Sequence, residues 1–184
     1  MNISEEYIRV VNARFQSVKG LGDKTLEQLS DQELLWSLNK ESNSIAVIIK
    51  HISGNMISRW TDFLLTDGEK KWRNRDEEFK IAAYSKAELI EYWDNGWRVM
   101  LDSLTSLKEE DLLKKVYIRG EGHLVIEAIE RQLAHYSYHV GQIVYIAKQI
   151  KSSDWSSLSI PIGKSVEFKT EMLEKHQDDN GDGR

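Results

Sequence analysis

Hydrophobic side chains recur every three to four positions in four separate stretches of the chain, and this spacing is typical of amphipathic helices. Three of the stretches open on a serine or an asparagine, whose side chain can accept hydrogen bonds from the first backbone amides of a helix. The third stretch also has a glutamate three residues after its serine, which predicts a capping box. The four predicted helices run from Ser4 to about Val18, from Asn43 or Ser44 through Phe63, from Ser85 through Leu104, and from about Leu124 to Ile150.

These helices predict an all-α fold, a four-helix bundle with negligible sheet. The only proline, Pro161, lies beyond them, so none is interrupted by the loss of a backbone donor. The stretch SDQELLWSLNKES predicts one further short turn of helix before the second long one. We expect a single domain over residues 1–164 and a disordered acidic tail over residues 165–184, which ends in EKHQDDNGDGR.

A long charged loop, residues 66–84, connects the second and third predicted helices. Ordered loops of this length are often functional, for example as lids over a ligand. Its segment EKKWRNRD interleaves acidic with basic residues, which favours a solvated loop over a basic binding patch. Trp72, within this loop, is predicted to be a packing anchor, with a lid over a ligand as the alternative.

Composition excludes several classes of function. The formal net charge of −5 argues against nucleic-acid binding, which needs a surplus of lysine and arginine on one surface. No apolar run reaches membrane-spanning length and the acidic N-terminus does not resemble a signal peptide, so we expect a cytoplasmic protein. Because the chain has no cysteine, any metal site must use nitrogen and oxygen ligands. The sequence also lacks a nucleophile elbow, a phosphate-binding glycine loop and an H-E-x-x-H motif.

Three histidines are candidate metal ligands. His135 and His139 lie four residues apart in AHYSYHVGQ, at the margin of the apolar face and about 40° apart around the helix, so both can reach one ion. His51 lies at the equivalent margin of the second helix, and such margins can meet across a groove in a bundle. Three imidazoles plus water are typical of an open catalytic zinc site, although nickel, copper or iron would also fit. The alternative is that these histidines are partly buried and bonded only to protein groups.

Four further polar residues lie close to the histidines on the same two helices. Asn55, Asp62 and Gln142 are candidates for orienting the imidazoles or for completing the coordination. The guanidinium of Arg59 suits a carboxylate or phosphate on a substrate. An ion pair of Arg59 with Asp62, or with another buried acid, is the alternative.

The remaining histidines are weaker candidates. His123 precedes His135 by about 18 Å of helix and is predicted only to mark the start of the fourth helix. His176 lies in the predicted tail. Asp178, Asn180 and Asp182 match the start of a calcium-binding loop, but the chain ends before the glutamate that such a loop requires, so no calcium site is predicted.

The stretches IIKHISGN, SRWTDFLLTDGEKKWRNRDEEF and HYSYHVGQI together resemble the DinB/YfiT-like superfamily, and within it a bacterial branch of domain-of-unknown-function proteins. The similarity extends to about Lys169. It implies a four-helix bundle with a long loop between helices two and three, a homodimer, and a divalent metal, nickel or zinc, held by His51, His135 and His139. Members of the superfamily include thiol S-transferases and metal-dependent isomerases that use a low-molecular-weight thiol. The resemblance implies no DNA binding.

Three functions are therefore open. The first is a metal-dependent enzyme, a transferase or hydrolase, and the second is a non-catalytic metal-binding or stress-related interaction protein. The third is a structural bundle whose histidines are incidental. Under the first two, metal affinity should fall below about pH 6, because imidazoles must lose their protons to bind a metal.

Overall fold

The computed structural model describes residues 2–80 and 83–176. This part of the chain is mostly helical, with one small sheet. None of its helices combines the length and the apolarity that a membrane span needs. The elements in chain order are α1 (Ile3–Glu27), α2 (Asp31–Leu35), α3 (Ile45–Trp60), α4 (Lys86–Ser106), β1 (Lys115–Ile118), β2 (Glu121–Leu124), α5 (Val125–Lys151) and α6 (Ser165–Lys175).

Local capping residues define where α3 and α4 begin. The Ser44 hydroxyl accepts a hydrogen bond from the Val47 amide, 3.3 Å away, at the start of α3. At the start of α4, Ser85 and Glu88 each accept a hydrogen bond from the other's backbone amide and complete a capping box. The predicted starts of these two helices are therefore confirmed.

The first helix is longer than its sequence pattern predicts, because α1 continues through Gly20 and Gly22 to Glu27. A side-chain Cβ at Gly22 would lie 2.3 Å from Cζ2 of Trp93, an indole on α4 that is 1% exposed. Gly22 thus allows the two helices to pack closely and does not end α1.

The central helix is α3, in which nearly every residue is buried. It packs against α4 and α5, and α1 packs against the same two helices. A Cβ at Gly96 of α4 would lie 2.8 Å from Cα of Ser53, so at this position the backbone of α4 packs directly against that of α3. This arrangement places one face of α3 directly beside α5.

A β-hairpin precedes α5, at a place where no sheet is predicted. Strands β1 and β2 pair antiparallel, and the turn residues Arg119 and Gly120 both have positive φ, 56° and 77°. Two successive residues with positive φ are characteristic of the tight turns that suit hairpin twist. The Asp67 carboxylate accepts hydrogen bonds from both turn amides, at 2.9 and 2.7 Å, so the hairpin also holds the start of the 66–84 loop.

Contacts along the chain separate two units, Met1–Ser152 and Ser153–Arg184. Within the second unit, residues 165–175 form the helix α6, in the segment where the sequence predicts a disordered tail. None of its residues is buried, so little packing stabilises a helix of 11 residues. The calcium-loop positions Asp178, Asn180 and Asp182 lie outside the described residues.

Candidate metal centre

The three candidate histidines converge across the boundary between α3 and α5. One ring nitrogen from each of His51, His135 and His139 lies within 4.8 Å of the others. The ring centroids are 5.1 Å apart for His51 and His139, 5.6 Å for His51 and His135, and 4.8 Å for His135 and His139. Residues more than 80 positions apart are thus brought within the range of one cation, and the cluster could hold a metal ion.

Two buried nitrogens in this cluster have no hydrogen-bond partner, namely Nδ1 of His135 and Nε2 of His139. Leaving a buried polar atom unpaired costs about 1–3 kcal/mol, so such atoms usually serve a purpose. A cation would satisfy both lone pairs. The alternative of histidines bonded only to protein groups therefore does not account for these two atoms.

Burial keeps the imidazoles in the form that binds metals. It lowers the pKa of His135 to about 3, together with smaller contributions from the nearby His139 and His51. Burial likewise lowers the pKa of His139 to about 4, again with a contribution from His51. Both rings are therefore neutral at pH 7, and a neutral imidazole offers a lone pair to a metal.

A carboxylate that the sequence did not single out orients His51. Oε2 of Glu78 lies 3.0 Å from Nδ1 of His51, and Arg73 donates to both oxygens of Glu78 at 2.7 and 2.8 Å. Burial would raise the pKa of Glu78, but the hydrogen bonds from His51 and Arg73 outweigh it and lower that pKa. An ionised carboxylate only accepts, so Nδ1 of His51 carries a proton, and in the neutral ring the lone pair is on Nε2. Metal-ligating histidines are commonly held by such a carboxylate.

Glu78 reaches His51 because the 66–84 loop is attached to α3. The Lys50 ammonium donates to the backbone carbonyls of Glu77 and Lys80, at 3.0 and 3.4 Å, on either side of Glu78. Gly54 leaves room for the carboxylate, since a Cβ there would lie 2.3 Å from Oε1 of Glu78. The loop thus delivers one buried acid to the centre while its neighbours Asp76 and Glu77 stay exposed.

One expectation for this loop holds in part and the other is wrong. Most residues of the segment EKKWRNRD are exposed, as expected, but the side chain of Arg73 is only 2% exposed and binds Glu78. Trp72 is not a packing anchor, because it is 60% exposed. The burial of Arg73 and the exposure of Trp72 have the same reason. The long-range contacts of a loop decide which of its side chains is buried, and helical periodicity does not predict these contacts.

Gln142 contacts one of the three histidines, and Asn55 lines the cavity beside the other two. Gln142 accepts at 2.9 Å from Nδ1 of His139, which leaves Nε2 of that ring free for a metal. Asn55 accepts from Gln132 at 3.3 Å and from the Tyr136 hydroxyl at 3.1 Å. Gln132 is 3% exposed and was missed by sequence reasoning, although its place one turn before His135 on the same stripe is a usable signal.

The remaining candidate residues, Asp62, Arg59 and His123, form their contacts with groups other than the three histidines. Asp62 is exposed just after α3, where its backbone carbonyl accepts from Leu65 and Thr66. Arg59 does not pair with Asp62 but with Glu69, at 3.1 Å, and is itself 4% exposed. His123 lies in β2, with Nε2 3.6 Å from a carboxylate oxygen of Glu121.

A cavity of about 390 Å³ opens beside the histidines. His51 and His135 line it together with Asn55 and Gln132, and Tyr138 stacks beside His139 with ring centroids 4.2 Å apart. Arginines form much of the remaining lining. A cation bound by the three rings would therefore be next to a space large enough for a small substrate.

The fold and the site together define a mostly helical protein with a three-histidine candidate metal centre. Residues 2–164 match the model of a family described as protein of unknown function, DUF1572, and the chain belongs to this family. Among curated proteins, no match to the chain was found.

Proposed function

We propose that this protein is a metal-dependent enzyme in which His51, His135 and His139 hold a divalent cation, zinc or nickel. The observation that carries the proposal is the convergence of three imidazole nitrogens within 4.8 Å, beside a cavity that His51 and His135 also line. Three protein ligands leave a coordination position open, which is the arrangement of catalytic rather than structural zinc sites.

When bound, a divalent cation would supply Lewis acidity and lower the pKa of a coordinated water or thiol. The protein's part is to hold the ligands in place. Glu78 and Gln142 accept the Nδ1 protons of His51 and His139, which directs the Nε2 lone pairs of both rings away from those partners. The buried pairing of Glu78 with Arg73 keeps this carboxylate ionised and so keeps it an acceptor.

The proposed reaction is a thiol-dependent S-transfer or a hydrolysis, with a low-molecular-weight thiol as the second cofactor in the first case. The resemblance of IIKHISGN and HYSYHVGQI to DinB/YfiT-like proteins supports this choice. The pairwise packing of α1, α3, α4 and α5 supports a four-helix bundle of that type. The long loop between α3 and α4 supports it as well, because this loop contributes Glu78 to the centre.

The first experiment measures metal in the purified protein and in three variants, His51→Ala, His135→Ala and His139→Ala. We expect about one ion per chain in the wild type and a loss of bound metal in each variant. His123→Ala is the matched control and should keep its metal, because that ring lies in β2 beside Glu121. Equal metal content in all five proteins would contradict the proposal.

The second experiment tests catalysis. Thiol cofactors are screened with electrophilic acceptors, and esters and amides are screened for hydrolysis, each with metal-loaded and metal-free protein. Metal-dependent turnover that is lost in the His139→Ala variant supports an enzyme. Stoichiometric metal binding without turnover across the panel would instead favour a non-catalytic metal-binding protein.

The homodimer that the resemblance implies is tested separately, by light scattering after size-exclusion chromatography.

A further inference from the structure

The cavity beside the histidines has an unusual lining. Arginine is the residue that best matches carboxylate and phosphate oxygens, because its planar guanidinium can donate two parallel hydrogen bonds. None of the described residues that line the cavity is acidic. Five of them are arginines: Arg59, Arg73, Arg75, Arg119 and Arg131.

The protein's own carboxylates do not balance these cations. Glu69 accepts from Arg59 at 3.1 Å and from Arg119 at 2.9 Å, so a single negative charge is shared by two arginines. Glu78 is bound to Arg73 and also accepts from His51. The guanidinium of Arg75 lies 4.8 Å from the centre of the Phe79 ring, a contact that brings no negative charge.

The two innermost arginines also have unused donors. Arg59 is 4% exposed, and its Nε and Nη1 atoms are buried without a hydrogen-bond partner. The side chain of Arg73 is 2% exposed, and its Nη1 atom is likewise buried and unpaired. Buried charged donors without acceptors are costly, and both residues line the cavity, so an anion bound there would offset part of this cost.

The surroundings of Arg59 point the same way. Burial lowers its pKa, and although Glu69 opposes this, the nearby charges of Arg73 and Arg119 lower it further. Like charges are thus close together around Arg59. Gly68 helps to set the position of Arg59, since a Cβ there would lie 2.9 Å from Cδ of that arginine.

We propose that this cavity binds a small molecule carrying at least two negative charges, as carboxylate or phosphate groups. Arg59 and Arg73 supply the inner donors, and the exposed Arg75, Arg119 and Arg131 supply the outer ones. That this molecule is the enzyme's substrate rests on the proposed function, because His51 and His135 line the same cavity. The binding itself requires no metal.

Calorimetric titration of the full-length protein, freed of metal by chelation and held at low ionic strength, tests the charge requirement. Succinate, its monoamide succinamate and succinamide are of similar size but carry two, one and no negative charges at pH 7.5. We expect succinate to bind with one site per chain, succinamate to bind about tenfold more weakly, and succinamide not to bind. Inorganic phosphate, used as a fourth probe, shows whether phosphate or carboxylate oxygens are preferred. Binding should weaken as salt is added.

Arg59→Gln and Arg131→Gln test the residues. Each should weaken succinate binding, by about tenfold for the buried Arg59 and by less for the exposed Arg131. If Arg59→Gln does not fold, Arg131→Gln alone tests whether the arginines of the cavity bind succinate. Arg98→Gln is the matched control, because it removes the same charge from a side chain that is 64% exposed and pairs with Asp102. That control should bind succinate as the wild type does.

Two results would overturn this inference: succinate binding no better than succinamide, or Arg98→Gln weakening it as much as Arg131→Gln. A zinc titration of the same preparation keeps the two proposals apart. Zinc binding without anion binding overturns the anion site alone. Anion binding without zinc binding leaves this site in place and overturns the metal-dependent function.

Discussion

Nδ1 of His51 and Oε2 of Glu78 lie 3.0 Å apart, although the two residues are separated by 27 positions in the chain. This contact joins the central helix α3 to the loop that follows it. It determines which nitrogen of His51 is available to a metal, and it uses a carboxylate that Arg73 also holds. The state of this pair should therefore control the metal affinity of the whole centre.

Glu78→Gln should weaken metal binding by about 10- to 100-fold, the range typical for residues that orient metal-bound histidines. The amide cannot balance the charge of Arg73 and accepts more weakly from Nδ1 of His51. Affinity is measured by competition with a zinc indicator. Glu77→Gln is the control, because that side chain is 55% exposed and pairs only with Lys80 among the described residues. Unchanged zinc affinity in a folded Glu78→Gln variant would refute this role.

Gly54→Ala should weaken metal binding without unfolding the protein. The added Cβ would lie 2.3 Å from Oε1 of Glu78, so the carboxylate must move away from its position beside His51. Alanine in place of glycine inside a helix is otherwise stabilising by about 0.5–1 kcal/mol. Gly20→Ala, in α1, meets nothing within 4 Å and should leave the metal affinity unchanged. Zinc competition and urea denaturation of both variants measure the two effects separately.

The metal-free protein should lose stability as the pH falls from about 6.5 towards 4. Burial holds the pKa of His135 at about 3 and that of His139 at about 4, whereas the unfolded chain has the ordinary value of about 6.5. In this window the unfolded chain binds protons that the folded chain does not, so protonation favours unfolding. The free energy of unfolding in urea at pH 7.5, 6 and 5 measures this. A His135→Gln/His139→Gln double variant should show a shallower slope, and an equal slope would contradict the assignment.

The same lowered pKa values change the expected pH dependence of metal binding. Ordinary imidazoles would lose affinity below about pH 6. Since His135 and His139 stay neutral to lower pH, their contribution to zinc affinity should persist at pH 5.5. Zinc competition at pH 7, 6 and 5.5 checks this. A steep loss of affinity between pH 7 and 6 in a His51→Gln variant, in which only His135 and His139 remain, would contradict this expectation.

Tyr136→Phe should lower the free energy of unfolding by about 1–3 kcal/mol, the cost of an unpaired buried group. The Tyr136 hydroxyl accepts from Nε1 of Trp60 at 3.1 Å and donates to Asn55 at 3.1 Å, so its removal leaves the indole N–H without a partner. Tyr145→Phe is the control, because that residue is 66% exposed. Chemical denaturation compares the two, and equal stability of both variants would contradict this account.

Much of the helical architecture could be predicted locally. The starts of α3 and α4 follow from the serines at positions 44 and 85, because a cap is formed by atoms a few residues apart. The hairpin before α5 could not be predicted in the same way. Its turn at Arg119 and Gly120 is held partly by Asp67, more than 50 positions earlier, and no local pattern reports such a contact.

By itself, the sequence determined that His135 and His139 share one helix face and that His51 occupies a matching margin on another helix, because helical spacing is a local property. Only the tertiary structure decided that one nitrogen from each ring lies within 4.8 Å of the others. It also selected Glu78 from three consecutive acids and Arg73 from a mixed-charge segment. Acids that look alike in sequence differ in the structure, because burial depends on which distant residues the folded loop meets.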